Sequence, residues 1–266
     1  MKKIFLVYLI AAVSLLAGGC GTAPVKKNAY QGNTIYGAFG DCLSSGAGAS
    51  GPESNGFSAL TAAFLNKLHP NVILFNGGEG GTTTQSYVTY LPLDLSKLAA
   101  AHPEPLARAT LLIGLNDLVT IYEGCHSCTY SATYSQGVSA SFSYKSEVQT
   151  QIDTILKFNP HCDLVLCTIP DPSNDGKGTY GPFNPPGLIK EFNKRIWELG
   201  GANHLPVADL YTAMIGHPEW FGNGDVHPNN DGHAVIASII EAQFEPNVKI
   251  PLPPPLAPKA TLTPQK

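Results

Sequence analysis

Between Asn33 and Asn247 the chain alternates short runs rich in β-branched and aromatic residues with longer stretches of helical periodicity. That alternation restricts it to a sheet of parallel strands joined by helices. Strands are expected near residues 34–39, 72–76, 109–113, 163–168 and 205–209. Helices are expected near 56–68, 83–90, 94–101, 144–158, 187–199 and 231–244; the first carries Phe57, Leu60, Ala63 and Phe64 on one face. Residues 122–143 are rich in Ser, Tyr, Thr and Gly without periodicity and read as an irregular insertion. The expected fold is a three-layer α/β/α domain over residues 33–247 with a five-stranded parallel sheet. A chain of 266 residues, 43% of them hydrophobic, can bury the core this needs.

The ends differ from this middle. Lys2-Lys3, an apolar run from Ile4 to Leu16 and the small residues Ala17-Gly18-Gly19 form an export signal over residues 1–19. The run is shorter than the roughly 18 to 20 residues that cross a bilayer. Cys20 follows the small residues directly, which resembles the lipobox of bacterial lipoproteins, although Ala17 stands where leucine is usual. The resemblance implies a lipid on Cys20, a tether over residues 20–32 and residence in the bacterial cell envelope; plain secretion is the other reading. Removing the leader takes away Lys2 and Lys3, which leaves 14 basic against 20 acidic residues, a formal charge of -6 in place of -4. No Lys/Arg block remains to grip a phosphate backbone, so nucleic acid is not an expected partner. Residues 248–266, with the run Pro251-Leu252-Pro253-Pro254-Pro255, read as an extended tail without a core of its own.

In an open parallel sheet, chemistry gathers beyond the carboxyl ends of the strands. Gly40-Asp41-Cys42-Leu43-Ser44-Ser45-Gly46 follows the first expected strand and Asn76-Gly77-Gly78-Glu79-Gly80-Gly81-Thr82-Thr83 the second. Gly114-Leu115-Asn116-Asp117 follows the third, and Gly224-Asp225-Val226-His227-Pro228 precedes the last helix. Each alone reads equally well as a turn, a helix cap or loop surface. Together, in this order, they resemble the four sequence blocks of the SGNH (GDSL) hydrolase family over about residues 33–244, with a flavodoxin-like sheet.

The resemblance implies an esterase or lipase without metal or cofactor, monomeric, acting on a small-molecule, lipid or glycan ester. Position 42 would be the nucleophile, at a helix start where backbone N–H groups favour negative charge. The Cys42 and Gly81 N–H groups and the Asn116 amide would form the oxyanion hole. A side chain at position 81 would be expected to obstruct close backbone approach. His227 would be general base and then general acid.

The chain departs from the family pattern twice. Cys42 stands where the family has serine, and three readings remain open: a weakened or thiol-based acyl hydrolase or transferase, a catalytically silent glycan- or lipid-binding descendant, or a serine enzyme into which the cysteine was introduced. Ser44 and Ser45 are expected to point elsewhere on the turn. The family's acid sits three residues before the histidine, at Gly224 here; Asp225 takes over if the loop bulges, and otherwise a backbone carbonyl orients the ring of a Cys-His dyad. Asp41 is expected to fix the turn through backbone N–H groups.

Cys125 and Cys128 form a CxxC that reads as a disulfide staple in an exported protein, with a redox pair or half a zinc site as alternatives. Cys162 and Cys167 would lie roughly 16 Å apart along a strand, too far to pair, and read as buried thiols. His69, His102, His161, His204 and His217 read as surface residues and His233 as structural. Trp220 and Phe221 would either line the acyl or sugar pocket or pack at its rim.

Overall fold

The computed structural model describes residues 32–124, 130–172, 187–222 and 225–248. The leader and tether with Cys20, the Cys125/Cys128 pair, Gly224 and all but the first residue of the tail lie outside the described residues. The elements run β1 (Thr34–Gly40), α1 (Cys42–Ser45), α2 (Pro52–Asn55), α3 (Phe57–Leu68), β2 (Val72–Gly78), α4 (Thr84–Ala101) and β3 (Leu106–Leu112). There follow α5 (Leu115–Glu123), α6 (Tyr130–Phe158), β4 (Asp163–Cys167), α7 (Leu188–Asn203), β5 (Val207–Ala208), α8 (Leu210–Met214), a 3₁₀ turn (Pro218–Trp220) and α9 (Asn230–Phe244).

The five strands form one parallel sheet in the order β2-β1-β3-β4-β5. Every residue of β1 and β3 is buried, as strands covered by helices on both faces must be. Helices α3 and α9 pack on each other, α3 against β2 and α9 against β4 and β5, while α4, α6 and α7 pack side by side as the other layer. The chain reverses its direction of travel across the sheet between β1 and β3, and a crevice opens beyond the carboxyl ends of the strands at such a reversal.

Two helical expectations need correction. Residues 83–90 and 94–101 are not separate helices: α4 continues through Pro92. Leu91, Leu95 and Leu98 are buried on one stripe, and that burial outweighs the N–H that proline lacks. Residues 130–143 of the expected insertion are helical and extend α6 to 29 residues. Its buried positions are Thr133, Gly137, Ser141, Tyr144, Val148, Gln151, Ile152 and Ile155, a helical stripe whose first three members are small. A Cβ on Gly137 would come within 2.3 Å of the Leu188 side chain, so α6 and α7 meet where position 137 must be bare.

The remaining differences are shorter. β3 begins at Leu106 rather than near 109 because the Arg108 side chain finds Glu245 at 3.6 Å and can be buried in the sheet. β5 contains two residues of the five expected. Cys162 and Cys167 are buried free thiols. Among the described residues no helix is long and apolar enough to cross a membrane.

Candidate active site

The site is built from the turns after β1, β2 and β3 and from the loop before α9. Gly40 ends β1 at φ +136°, and a Cβ there would lie 1.9 Å from the Leu112 carbonyl oxygen, so only glycine lets the two strand ends approach. Asp41 then caps α1: one carboxylate oxygen accepts from the Leu43 N–H at 3.0 Å and the other from the Gly114 N–H at 3.3 Å. One buried side chain thereby ties the turn carrying Cys42 to the turn carrying Asn116, the turn-fixing part expected of it. Burial raises the Asp41 carboxyl to about 7. α1 has four residues, so what it offers is a few local N–H groups and not the macrodipole of a long helix. Ser44 Oγ donates to the Phe39 and Leu112 carbonyls and Ser45 Oγ to the Cys42 carbonyl, which keeps both hydroxyls engaged with backbone.

His227 Nε2 lies 3.2 Å from Cys42 Sγ, and His227 Nδ1 lies 2.7 Å from Asp225 Oδ1. An ionised carboxylate can only accept, so Nδ1 carries the proton and Nε2 turns a lone pair toward the thiol. The same Asp225 oxygen accepts the His227 N–H at 3.3 Å, which shows how an acid two residues before the histidine reaches its ring: the loop folds back on itself.

Neighbouring segments hold that loop. Phe221 bridges Pro228, the Gly222 N–H donates to the His227 carbonyl at 2.9 Å, and the Asn229 N–H donates to the Trp220 carbonyl at 2.9 Å. The Asn229 side chain then caps α9. Trp220 and Phe221 are buried bracing residues, and Trp220 is stacked on His217 with ring centroids 3.8 Å apart. A Cβ on Gly48 would press within 2.3 Å of the Pro228 carbonyl, so the segment after α1 also closes against this loop.

Three donors face the sulfur: the N–H groups of Gly81 and Cys42 and the side-chain amide of Asn116. They favour the thiolate, yet burial, joined by the nearby Asp41 carboxylate, outweighs them and pushes the Cys42 thiol up to about 11. At neutral pH Cys42 is therefore a neutral thiol. The Asn116 amide also donates to the Thr82 carbonyl at 3.0 Å, linking it to the Gly81 turn. The reason expected for Gly81 is corrected here: a Cβ there would meet open space, and what position 81 requires is its φ of +75°.

Sequence reasoning missed the support behind these donors. The Thr84 N–H donates to both Asp117 carboxylate oxygens, at 3.0 and 3.3 Å, and the Thr84 hydroxyl lies 2.6 Å from Asp117 and 2.5 Å from Glu147. This clasp joins the first turn of α4 to the first turn of α5 and so fixes the Gly81 and Asn116 donors relative to each other. Burial raises the Asp117 carboxyl to about 6. Asp117 was legible as the residue after Asn116; Glu147, thirty residues on, had no local signal.

The other histidines divide. His233 is buried, accepts the Phe57 N–H on Nδ1 at 3.3 Å and donates from Nε2 to the Ala47 carbonyl at 2.9 Å, a neutral structural ring. His69 is more than the surface residue expected, since it meets the buried Glu245 at 2.7 Å. Among the described residues no group of three His, Cys, Asp or Glu side chains could hold a metal.

A model of the GDSL-like lipase/acylhydrolase family matches residues 38–235. Among solved structures, the lipase Lip_vut3 from a goat rumen metagenome is similar at a TM-score of 0.66 and 20% identity, covering 79% of this chain and 97% of its own. An extracellular lipase from Streptomyces rimosus is similar at 0.60 and 17% identity, covering 79% and 99%. The acetyl xylan esterase AlAXEase is similar at 0.57 and 19%, covering 77% and 97%. Identities this low speak for the fold alone. No curated protein matches the chain.

Proposed function

Because the chain belongs to the GDSL-like lipase/acylhydrolase family, we propose that it hydrolyses acyl esters through a covalent intermediate on Cys42. One observation carries this: Sγ, imidazole and carboxylate stand in series at 3.2 and 2.7 Å, with three hydrogen-bond donors around the sulfur. His227 takes the thiol proton as sulfur attacks the ester carbonyl, and the donors from Cys42, Gly81 and Asn116 hold the oxyanion. The imidazolium returns the proton to the departing alcohol; water, deprotonated by the same ring, then frees the acid. Sulfur is larger than oxygen, and an oxyanion hole proportioned for serine then holds the carbonyl off its best position.

Hydrolysis of p-nitrophenyl acetate by the native chain and by Cys42→Ser tests the reading. The serine form should be faster by about 10- to 100-fold, the cost of a sub-ångström to ångström misplacement at a reacting centre. A serine form as inert as the native chain would end the catalytic interpretation. The neutral thiol favours a second reading, a surface protein that binds a glycan or lipid ester without turning it over. Ligand binding with no product, unchanged after thiol alkylation, would favour it over hydrolysis.

The leader and Cys20 support placement at the cell envelope. Acyl chains on Cys20 would hold the protein on a membrane surface, each buried methylene contributing about 0.8 kcal/mol. Metabolic labelling with a radioactive fatty acid should mark the protein and lose the mark in Cys20→Ala; labelling that survives the substitution would refute the anchor.

A further inference from the structure

We infer that the cysteine at this site shifts delivery of the acyl group from water toward primary amines, relative to a serine in the same place. With an activated acyl donor and an amine present it thus acts as an acyl transferase. The inference rests on Cys42 being the nucleophile, as proposed above.

The chemistry follows from what leaves. In the first half-reaction sulfur bonds to the donor's carbonyl carbon, the donor's carbon–oxygen bond breaks, and the alcohol departs with the proton His227 took from the thiol. A thioester remains. In the second half-reaction an amine nitrogen bonds to the same carbon and the carbon–sulfur bond breaks. His227 accepts the proton the nitrogen sheds and returns it to sulfur, so the products are an amide and the original thiol. No oxidant, metal or further reactant enters.

The second half-reaction separates cysteine from serine. An amine that has just added is itself easily expelled, so its attack succeeds only when the opposite group departs faster. A thiolate departs far more readily than a serine alkoxide, and leaving ability follows the acidity of the conjugate acid. Even pushed up to about 11 by burial and Asp41, the Cys42 thiol is much more acidic than an aliphatic hydroxyl. Water gains less from the exchange, because hydroxide is a poor leaving group from either intermediate. Replacing oxygen by sulfur at position 42 thus shifts partitioning toward amines. The same logic disfavours unactivated alkyl esters as donors, since sulfur would be expelled before an alkoxide.

The surroundings suit a cationic acceptor. The His227 side chain is 25% exposed and that of Asp225 49%, so the base can be reached from solvent once the alcohol has left. Glu79, two residues before the Gly81 donor, is exposed as well. The half-exposed Asp225 carboxylate beside His227 attracts ammonium groups, each of which gives one proton to solvent and then attacks as the neutral amine.

The test incubates the full chain and Cys42→Ser with p-nitrophenyl acetate and glycinamide, following nitrophenol release and separating N-acetylglycinamide from acetate by chromatography. The native amide-to-acetate ratio should exceed that of the serine form by about tenfold or more, in the sense set by thiol leaving ability. A native ratio equal to or below the serine form's overturns the inference while leaving the acyl-enzyme in place. Nitrophenol release by the serine form alone also overturns it, and leaves the hydrolytic lineage of the site intact. Release by neither protein removes the acyl-enzyme itself and the transfer with it.

Discussion

Replacing His227 by alanine is expected to lower kcat/KM for an activated ester by about 10²- to 10⁴-fold at pH 7, the contribution of a well-placed general base. The size follows from the state of the nucleophile. Its thiol is held at about 11, so the thiolate is scarce at neutral pH and Nε2 at 3.2 Å is the group that can take the proton. The pH dependence has a definite sign. Without the imidazole, activity must come from spontaneously ionised thiol, whose fraction grows about tenfold per pH unit until it approaches its raised pKa. The deficit of His227→Ala relative to the native protein should therefore shrink as pH rises from 7 to 10. Equal rates at pH 7 in a folded variant, checked by circular dichroism, would show that the imidazole does not activate the sulfur.

The second large effect concerns Asn116. Its amide faces the sulfur and also donates to the Thr82 carbonyl at 3.0 Å, so it is held in place before substrate arrives. A donor fixed in advance at a developing oxyanion acts mainly in the transition state. Asn116→Ala is therefore expected to reduce kcat by about 10²- to 10³-fold with little change in KM. Steady-state kinetics on p-nitrophenyl acetate separate the two constants. A raised KM with kcat unchanged would assign Asn116 to ground-state binding instead.

The sheet could be read in advance because its strands are buried on both faces and stand out as short apolar runs between glycine-rich turns. Where the pattern contained Arg108, the reading lost three residues of β3, since a charge inside a sheet becomes tolerable only once a distant Glu245 supplies its partner. α6 failed for a related reason: Thr133, Gly137 and Ser141 sit on its buried stripe, and a search for large apolar side chains passes over small ones. At the site, Cys42, Gly81, Asn116 and His227 were legible because four short blocks recur in fixed order beside strand ends. Whether Asp225 could meet the imidazole was not, because that depends on a loop path set by Phe221, Gly222 and Asn229. The Thr84–Asp117–Glu147 clasp was equally hidden, being an agreement between three helices and not a property of any one of them.

The bare position at Gly137 works as a notch into which Leu188 drops like a pawl. Sliding α6 by one turn, about 5.4 Å, would set Thr133 or Ser141 opposite that leucine, and neither leaves the room that a missing side chain does. One longitudinal alignment of the two helices is thereby selected by shape. Because α6 also bears Glu147, the alignment reaches through the clasp to the Gly81 and Asn116 donors that face the sulfur, and a single absent methyl group at the α6–α7 seam bears on the geometry around Cys42.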